Sequence, residues 1–242
     1  MCETSHDPLT VLYRDDHFIA IDKPAGTLVH RTRLSDASHA VLQQLRDQIG
    51  QRINPVHRLD RPTSGVLLFA FTGEMTRALQ EAFDSGLVEK AYLALVRGYT
   101  DEGGEIDRPL RQAPHKPERP ARTRYCRLRT VEAPFPAGRY PTTRYSLVRA
   151  EPLTGRLHQI RRHFAHLRHP IIGDTTHGDG KQNKAFRARF NEHRLMLMAR
   201  SIRLPHPVTG KEVHIEAPLP VAFTQVFTQL GWPAAADQPD PG

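Results

Sequence analysis

A single carboxylate stands among cationic side chains in the stretch HRLDRPTSG, residues 57–65. Asp60 lies between Arg58 and Arg61, and nearby positive charge favours the ionised form of a carboxylate. An ionised carboxylate can act as a nucleophile on a sugar carbon or an electron-poor ring. An aspartate ahead of the turn-like residues 62–65 is also typical of a purely structural turn. The stretch alone leaves both interpretations open.

The stretch TGRLHQIRRHFAHLRH, residues 154–169, combines apolar and basic positions at helical spacing. It predicts a helix over residues 156–167 with one apolar stripe: Leu157, Ile160, Phe164 and Leu167. Arg161 falls at the edge of this stripe, whereas Arg162 falls on the other side. A guanidinium directed toward a core needs an anionic partner, because a buried unpaired charge is costly. Asp60 is the candidate partner, and the alternative is that Arg161 extends its charged end to solvent.

A tyrosine interrupts the otherwise aliphatic strand predicted over residues 88–96. Tyr92 is either a core tyrosine whose hydroxyl is hydrogen-bonded, or a functional residue that stacks on a base or accepts a proton beside Asp60.

Four histidines follow one another closely and raise the question of a metal site: His158, His163, His166 and His169. Only spacings of three place neighbours on one helical face, and no cysteine or carboxylate completes a ligand set, so we expect no metal. The sequence also shows no glycine-rich phosphate loop and no nucleophile elbow. Glycosidases use two carboxylates, so the one strong candidate here counts against simple hydrolysis.

The elements that must position these residues alternate between strand-like and helix-like patterns. Strands are predicted over residues 9–14, 18–22, 66–71, 88–96, 122–131, 142–150 and 194–204, followed by a hairpin that turns at Thr209-Gly210. Helices are predicted over residues 40–49, from the cap Thr72 to Gly86, and over 156–167 and 221–230. Hairpin-like connections dominate, which favours an α+β fold with a largely antiparallel mixed central sheet flanked by helices and loops. We expect a single domain over residues 9–232 and a disordered tail over 233–242.

The chain of 242 residues carries a formal net charge of +8, with arginines concentrated in its middle. This balance favours a polyanionic partner such as nucleic acid, because each phosphate contact releases condensed counterions. A merely solvated basic surface is the alternative. The 2 cysteines, and the lack of a secretory signal or a long apolar run, predict a protein of the reducing cytoplasm without a membrane segment.

Together, the stretches HRLDRPTSGVLLFA, KAY and TGRLHQIRRH…HPIIGD resemble the motifs of the RluA-type pseudouridine synthases, and the likeness spans residues 9–232. The resemblance implies a catalytic domain that isomerises uridine to pseudouridine in RNA by flipping the base, without a cofactor. It implies that Asp60 is the catalytic aspartate, that Tyr92 is the active-site tyrosine and that Arg161 pairs with the aspartate. Arg58 would support the flipped-out nucleotide.

The stretches GRYPTTRYSLV (138–148) and HLRHPIIGDTTHGDGKQN (166–183) resemble a tRNA-modifying branch of the family, which implies tRNA as the partner and the uridine at position 65 as the target. Ribosomal RNA is the alternative substrate. The resemblance implies that the S4 RNA-binding domain of larger members is absent, so the catalytic domain, expected to be a monomer, must contact RNA itself. The candidate RNA-binding residues are Arg58, Arg61, Arg108, Arg111, Lys116, Arg119 and Arg162. Four of them lie in the Gly- and Pro-rich segment 101–121, which predicts a long exposed loop or a partly ordered hairpin that clamps RNA.

Two rival classes of protein remain. A non-catalytic RNA-binding protein has no need of the set Asp60, Tyr92 and Arg161. A hydrolase that releases free uracil would be expected to show a second carboxylate.

Overall fold

The computed structural model of the protein describes residues 7–29, 40–113 and 115–233. The chain forms two compact units, and each is discontinuous in sequence. The first unit comprises the residues up to Val88 together with Ser201–Ala217, and the second comprises Glu89–Arg200 and the residues from Pro218 onward. The expected single domain stays a prediction. The predicted tail lies outside the described residues, except for Pro233.

The described residues form five helices and twelve strands. The helices are α1 (Val41–Ile49), α2 (Gly73–Asp84), α3 (Gln159–His166), α4 (Gly180–Phe190) and α5 (Val221–Gln229). The strands are β1 (Val11–Arg14), β2 (Phe18–Lys23), β3 (Asn54–Pro55), β4 (Ser64–Ala70), β5 (Glu89–Arg97), β6 (Gly103–Asp107), β7 (Leu110–Arg111), β8 (Glu118–Arg119), β9 (Arg122–Ala133), β10 (Thr143–Pro152), β11 (Leu197–Pro205) and β12 (Glu212–Glu216). No helix in the described part of the chain is long and apolar enough to cross a membrane.

The first unit is built around β4, whose residues are all buried. β2 pairs antiparallel with both β1 and β4, and β12 pairs antiparallel with the end of β11. The interior strand predicted over residues 66–71 is confirmed and begins two residues earlier. Thr72 caps α2 as predicted, because its side chain accepts a hydrogen bond from the backbone N–H of Met75.

The second unit contains β5, β10, β9 and β6, which pair antiparallel in that order. β7 and β8 form a short separate hairpin. The segment 101–121 is therefore a partly ordered hairpin, and its interpretation as a loop is wrong for β6. The predicted α+β class with a largely antiparallel sheet is confirmed.

Helix α3 packs on the second unit's sheet through Ile160 and Phe164, which join a buried cluster with residues of β5 and β10. The helix is shorter than the predicted range 156–167, because His158 adopts the left-handed backbone conformation, with φ of 52°. Leu157 lies before the helix and is 40% exposed, so its predicted place in the apolar stripe is wrong.

Candidate active site

Residues 57–60 approach β4 in the first unit with alternating burial. Leu59 is buried, Arg58 is exposed and Asp60 is half-buried. His57 anchors the segment, because its Nε2 accepts a hydrogen bond of 3.1 Å from the backbone N–H of Leu68. Its ring also stacks on that of Phe83 in α2. In the sequence HRLD, His57 and Leu59 therefore fix the segment to the unit, whereas Arg58 and Asp60 reach solvent.

Asp60 begins a tight turn. The backbone N–H of Thr63 donates to the carbonyl oxygen of Asp60 over 3.0 Å, which closes the turn across Arg61 and Pro62. Ser64 and its successor, which the sequence suggested as part of this turn, are instead the first residues of β4. Asp60 thus begins a tight turn that leads into a buried strand.

A buried lysine forms hydrogen bonds with the backbone of this turn. Lys23 is 0% exposed, and its Nζ donates to the backbone carbonyl oxygens of Thr63 (2.8 Å), Arg61 (3.2 Å) and Pro24 (2.8 Å). Two hydrogen bonds join Gly26 to Arg61. Nε of Arg61 donates to the carbonyl oxygen of Gly26, and the backbone N–H of Gly26 donates to the carbonyl oxygen of Arg61. The strand predicted over residues 18–22 ends just before Lys23, and no sequence pattern indicated this support.

Arg161 in the second unit is held by Asp174. Its Nε lies 2.8 Å from Oδ2 and its Nη2 lies 2.8 Å from Oδ1, a bidentate ion pair whose side chains are 5% and 1% exposed. Arg161 therefore does not extend to solvent, and the prediction that it is directed toward the core is correct. Asp174 was not foreseen as a partner. The pairing of Arg161 with Asp60 stays a prediction.

Asp174 is ionised in this environment. Burial alone would raise its pKa, but hydrogen bonds from Arg161 and from the backbone N–H groups of His177 and Thr176 outweigh burial and hold the pKa below its usual range. His177 also joins the segment after Asp174 to the start of α3, because its Nε2 lies 2.9 Å from Nδ1 of His158, the residue before the helix. The pKa of His177 is lowered, chiefly by burial.

Tyr92 lies in β5 opposite Ala150 of β10 and is half-buried. It packs against the same buried cluster that contains Ile160 and Phe164 of α3. The second unit therefore brings the strand of Tyr92 and the helix of Arg161 to one cluster. The half-buried ring is compatible with both predictions for Tyr92, a core residue or a base-stacking one.

The hairpin β7–β8 is fastened to α3. Nη1 of Arg162 donates to the backbone carbonyl oxygen of Arg111 over 2.7 Å, and Nε2 of His163 lies 3.1 Å from that of Arg108. Three of the predicted RNA-binding residues are thus gathered in one place. Lys116, between β7 and β8, and Arg119 in β8 are exposed.

Many of the arginines that suggested a polyanionic partner are paired with glutamates. Arg122 and Arg124 both contact Glu105 on the neighbouring strand. Further pairs of this kind are Arg111–Glu118, Arg144–Glu132 and Arg149–Glu151. The concentration of arginine in the middle of the sequence therefore overstates the positive charge that is available to a polyanionic partner.

The chain belongs to the RNA pseudouridylate synthase family, since residues 17–166 match the model of that family. More particularly, it is 46% identical to tRNA pseudouridine synthase C of Vibrio parahaemolyticus over 235 residues, 93% of this chain and 96% of the relative. It is 50% identical to the protein of the same name from Haemophilus ducreyi over 234 residues, 93% of this chain and 96% of the relative.

A solved structure has the same fold. Human RNA Pseudouridylate Synthase Domain Containing 4 superposes with a TM-score of 0.71 at 25% identity, over 92% of this chain and 93% of that one.

Proposed function

We propose that the protein converts uridine to pseudouridine in tRNA, at the uridine of position 65. The observation that carries the proposal is the similarity, over 93% of this chain, to proteins named tRNA pseudouridine synthase C. The reaction breaks the N1–C1′ bond of the uridine, turns the uracil and joins its C5 to C1′. The C5 proton is lost and N1 gains a proton, so atoms and electrons balance without an oxidant or reductant.

Asp60 is the proposed nucleophile. Its half-buried side chain stands on a turn that Lys23 and Arg61 fix through backbone hydrogen bonds, which restricts the directions open to the carboxylate. Attack at C1′, attack at C6 and a route through a glycal all use a carboxylate at this place. Tyr92 is proposed to stack on the base and to accept the C5 proton, and Arg161 to orient the reacting groups.

The uridine must leave its stack before it can react, which costs a few kcal/mol. Phosphate contacts supply the binding free energy that offsets this cost. Arg58, which is exposed two residues before Asp60, is proposed to support the extruded nucleotide. The hairpin β7–β8 and Arg162 are the proposed clamp on the RNA backbone, with Lys116 and Arg119 exposed on the hairpin.

A release assay tests the reaction type. Purified protein is incubated with a tRNA transcript labelled with tritium at C5 of uridine, and the products are tested for tritiated water and for free uracil. We expect tritium in water and no free uracil, because the base is reattached through C5. Free uracil would identify a hydrolase. Release from ribosomal RNA but not from tRNA would contradict the proposed substrate, and binding without either product would indicate a non-catalytic RNA-binding protein.

A cytoplasmic location fits the proposed substrate.

A further inference from the structure

We propose that Asp174 is a positioning residue for the isomerisation, acting through Arg161. The inference deepens the proposed function and rests on it. Asp174 binds the Nε and Nη2 edge of the guanidinium through two hydrogen bonds of 2.8 Å each. A guanidinium is planar and carries five N–H groups in a fixed fork, so holding one edge sets the direction of the remaining three.

The carboxylate of Asp174 is itself held in place. Besides Nη2 of Arg161, its Oδ1 accepts hydrogen bonds of 2.9 Å from the backbone N–H groups of Thr176 and His177. Rotation of the carboxylate would break these bonds in a site where Asp174 is only 2% exposed. The ion pair therefore has one orientation.

The backbone of Asp174 is fixed from α4. Nδ2 of Asn183 donates to the carbonyl oxygen of Asp174, and its Oδ1 accepts from the backbone N–H of Gly173, both at 2.9 Å or less. Gly173 has φ of 79°, and a Cβ there would overlap the carbonyl oxygen of Arg194. A Cβ at Gly178 would overlap the carbonyl oxygen of Asp174. The loop can thus hold the carboxylate in one place only.

Stability is a weak explanation for this arrangement. Removing two charges from water costs as much as their attraction returns, so a buried ion pair is often no more stable than well-packed apolar residues. A fixed guanidinium does have a clear use in catalysis, since displacing a reacting or orienting group by about 1 Å can cost about 100-fold in rate. The arrangement therefore fits a role in orientation.

Single-turnover tritium release from C5-labelled tRNA tests the inference in four proteins: wild type, Asp174→Asn, Arg161→Lys and the double variant. For Asp174→Asn we expect the rate constant at saturating enzyme to fall about 100-fold while the concentration for half-maximal rate changes less than about 3-fold. In the Arg161→Lys background, which lacks the bidentate fork, the same change should lower the rate less than about 3-fold. Asp179→Asn is the matched control. It keeps an N-cap for α4, and its rate should equal that of wild type.

Each outcome bears on the inference. Equal rates for wild type and Asp174→Asn would overturn it. The same fold-loss in both backgrounds would also overturn it, because a purely structural effect is independent of Arg161. No release by the wild type on tRNA or ribosomal RNA would overturn the proposed function, and this inference with it.

Asn183→Ala replaces Asp174→Asn if the latter loses its far-UV circular dichroism. This change removes both side-chain hydrogen bonds to the loop and is favourable for a helix. We expect a rate loss of about 10-fold in the wild-type background that disappears with Arg161→Lys. An unchanged rate, or an equal loss in both backgrounds, would overturn the inference.

Discussion

The ammonium group of Lys23 lies 2.8 Å from the backbone carbonyl oxygen of Thr63, which closes the turn that starts at Asp60. Lys23 is fully buried and also donates to the carbonyl oxygen of Arg61, so it links two backbone groups of the turn to the interior. The lysine therefore couples the stability of the first unit to the position of the proposed nucleophile.

Lys23→Met should lower the free energy of unfolding by about 2–4 kcal/mol, because the buried carbonyl oxygen of Thr63 and the partly buried contacts to Arg61 and Pro24 would lose their donor. Urea denaturation followed by circular dichroism measures the change. Lys211→Met, at an exposed position, is the control and should unfold at the wild-type midpoint. A midpoint for Lys23→Met that matches this control would show that the buried ammonium does not stabilise the turn.

Asp60→Asn should reduce tritium release below about 1% of wild type while leaving the Kd for tRNA within about 3-fold, because the amide keeps the shape but not the nucleophile. Asp16→Asn, an exposed aspartate of the same unit, should keep full activity. Binding is followed by fluorescence anisotropy of labelled tRNA. Residual activity well above 1% would remove Asp60 from the role of nucleophile.

The variant with Arg108, Lys116 and Arg119 all changed to Gln should bind tRNA more weakly and with a shallower dependence on salt. Each phosphate contact that is lost lowers the slope of log K against log salt by about 1. The control changes Arg122, Arg124 and Arg149 to Gln, since these residues contact Glu105 and Glu151. If the two variants show the same slope, the hairpin is not the clamp.

The free energy of unfolding should decrease as the pH is lowered below neutrality, because of His163. Its Nε2 faces a backbone carbonyl and its Nδ1 lies 2.9 Å from Oγ1 of Thr123, so the buried ring is held neutral. Burial lowers the pKa of His163 below its usual value of 6.5. The unfolded chain then binds more protons than the folded protein below about pH 6.5, and stability decreases as pH falls from there toward the lowered pKa.

His163→Gln should flatten this decrease, as measured by urea midpoints between about pH 7.5 and 5. His193→Gln, at an exposed position outside α3, should keep the wild-type dependence. An identical pH dependence in wild type and His163→Gln would exclude His163 as its source.

The periodic elements were predictable from sequence because their burial follows a simple rule. β4 is a continuous apolar run, and α2 carries both a capping threonine and an apolar stripe. Helix α4 was missed because polar Gln182 and Asn183 lie among its buried residues and interrupt any apolar stripe. Its capping aspartate, Asp179, was the available signal.

The candidate site was predictable only in part. Asp60, Tyr92 and Arg161 are predicted site residues because their motifs mark residue types at fixed places, and their catalytic roles stay predictions. Asp174 was not predicted as the partner of Arg161, because the contact depends on a loop in which Gly173 has a positive φ. Lys23 was not predicted either, because its hydrogen bonds reach Arg61 and Thr63, which are distant in sequence. Full burial of a lysine is rare enough that no pattern rule predicts it.

The most direct test of the proposed function is carbodiimide mapping of pseudouridine in all RNA from cells that lack this protein, compared with cells that carry the wild-type or the Asp60→Asn gene. We expect one tRNA signal, at position 65, to disappear in the deletion strain, to return with the wild-type gene and to stay absent with Asp60→Asn. Retention of that tRNA signal together with loss of a ribosomal RNA signal would contradict the account.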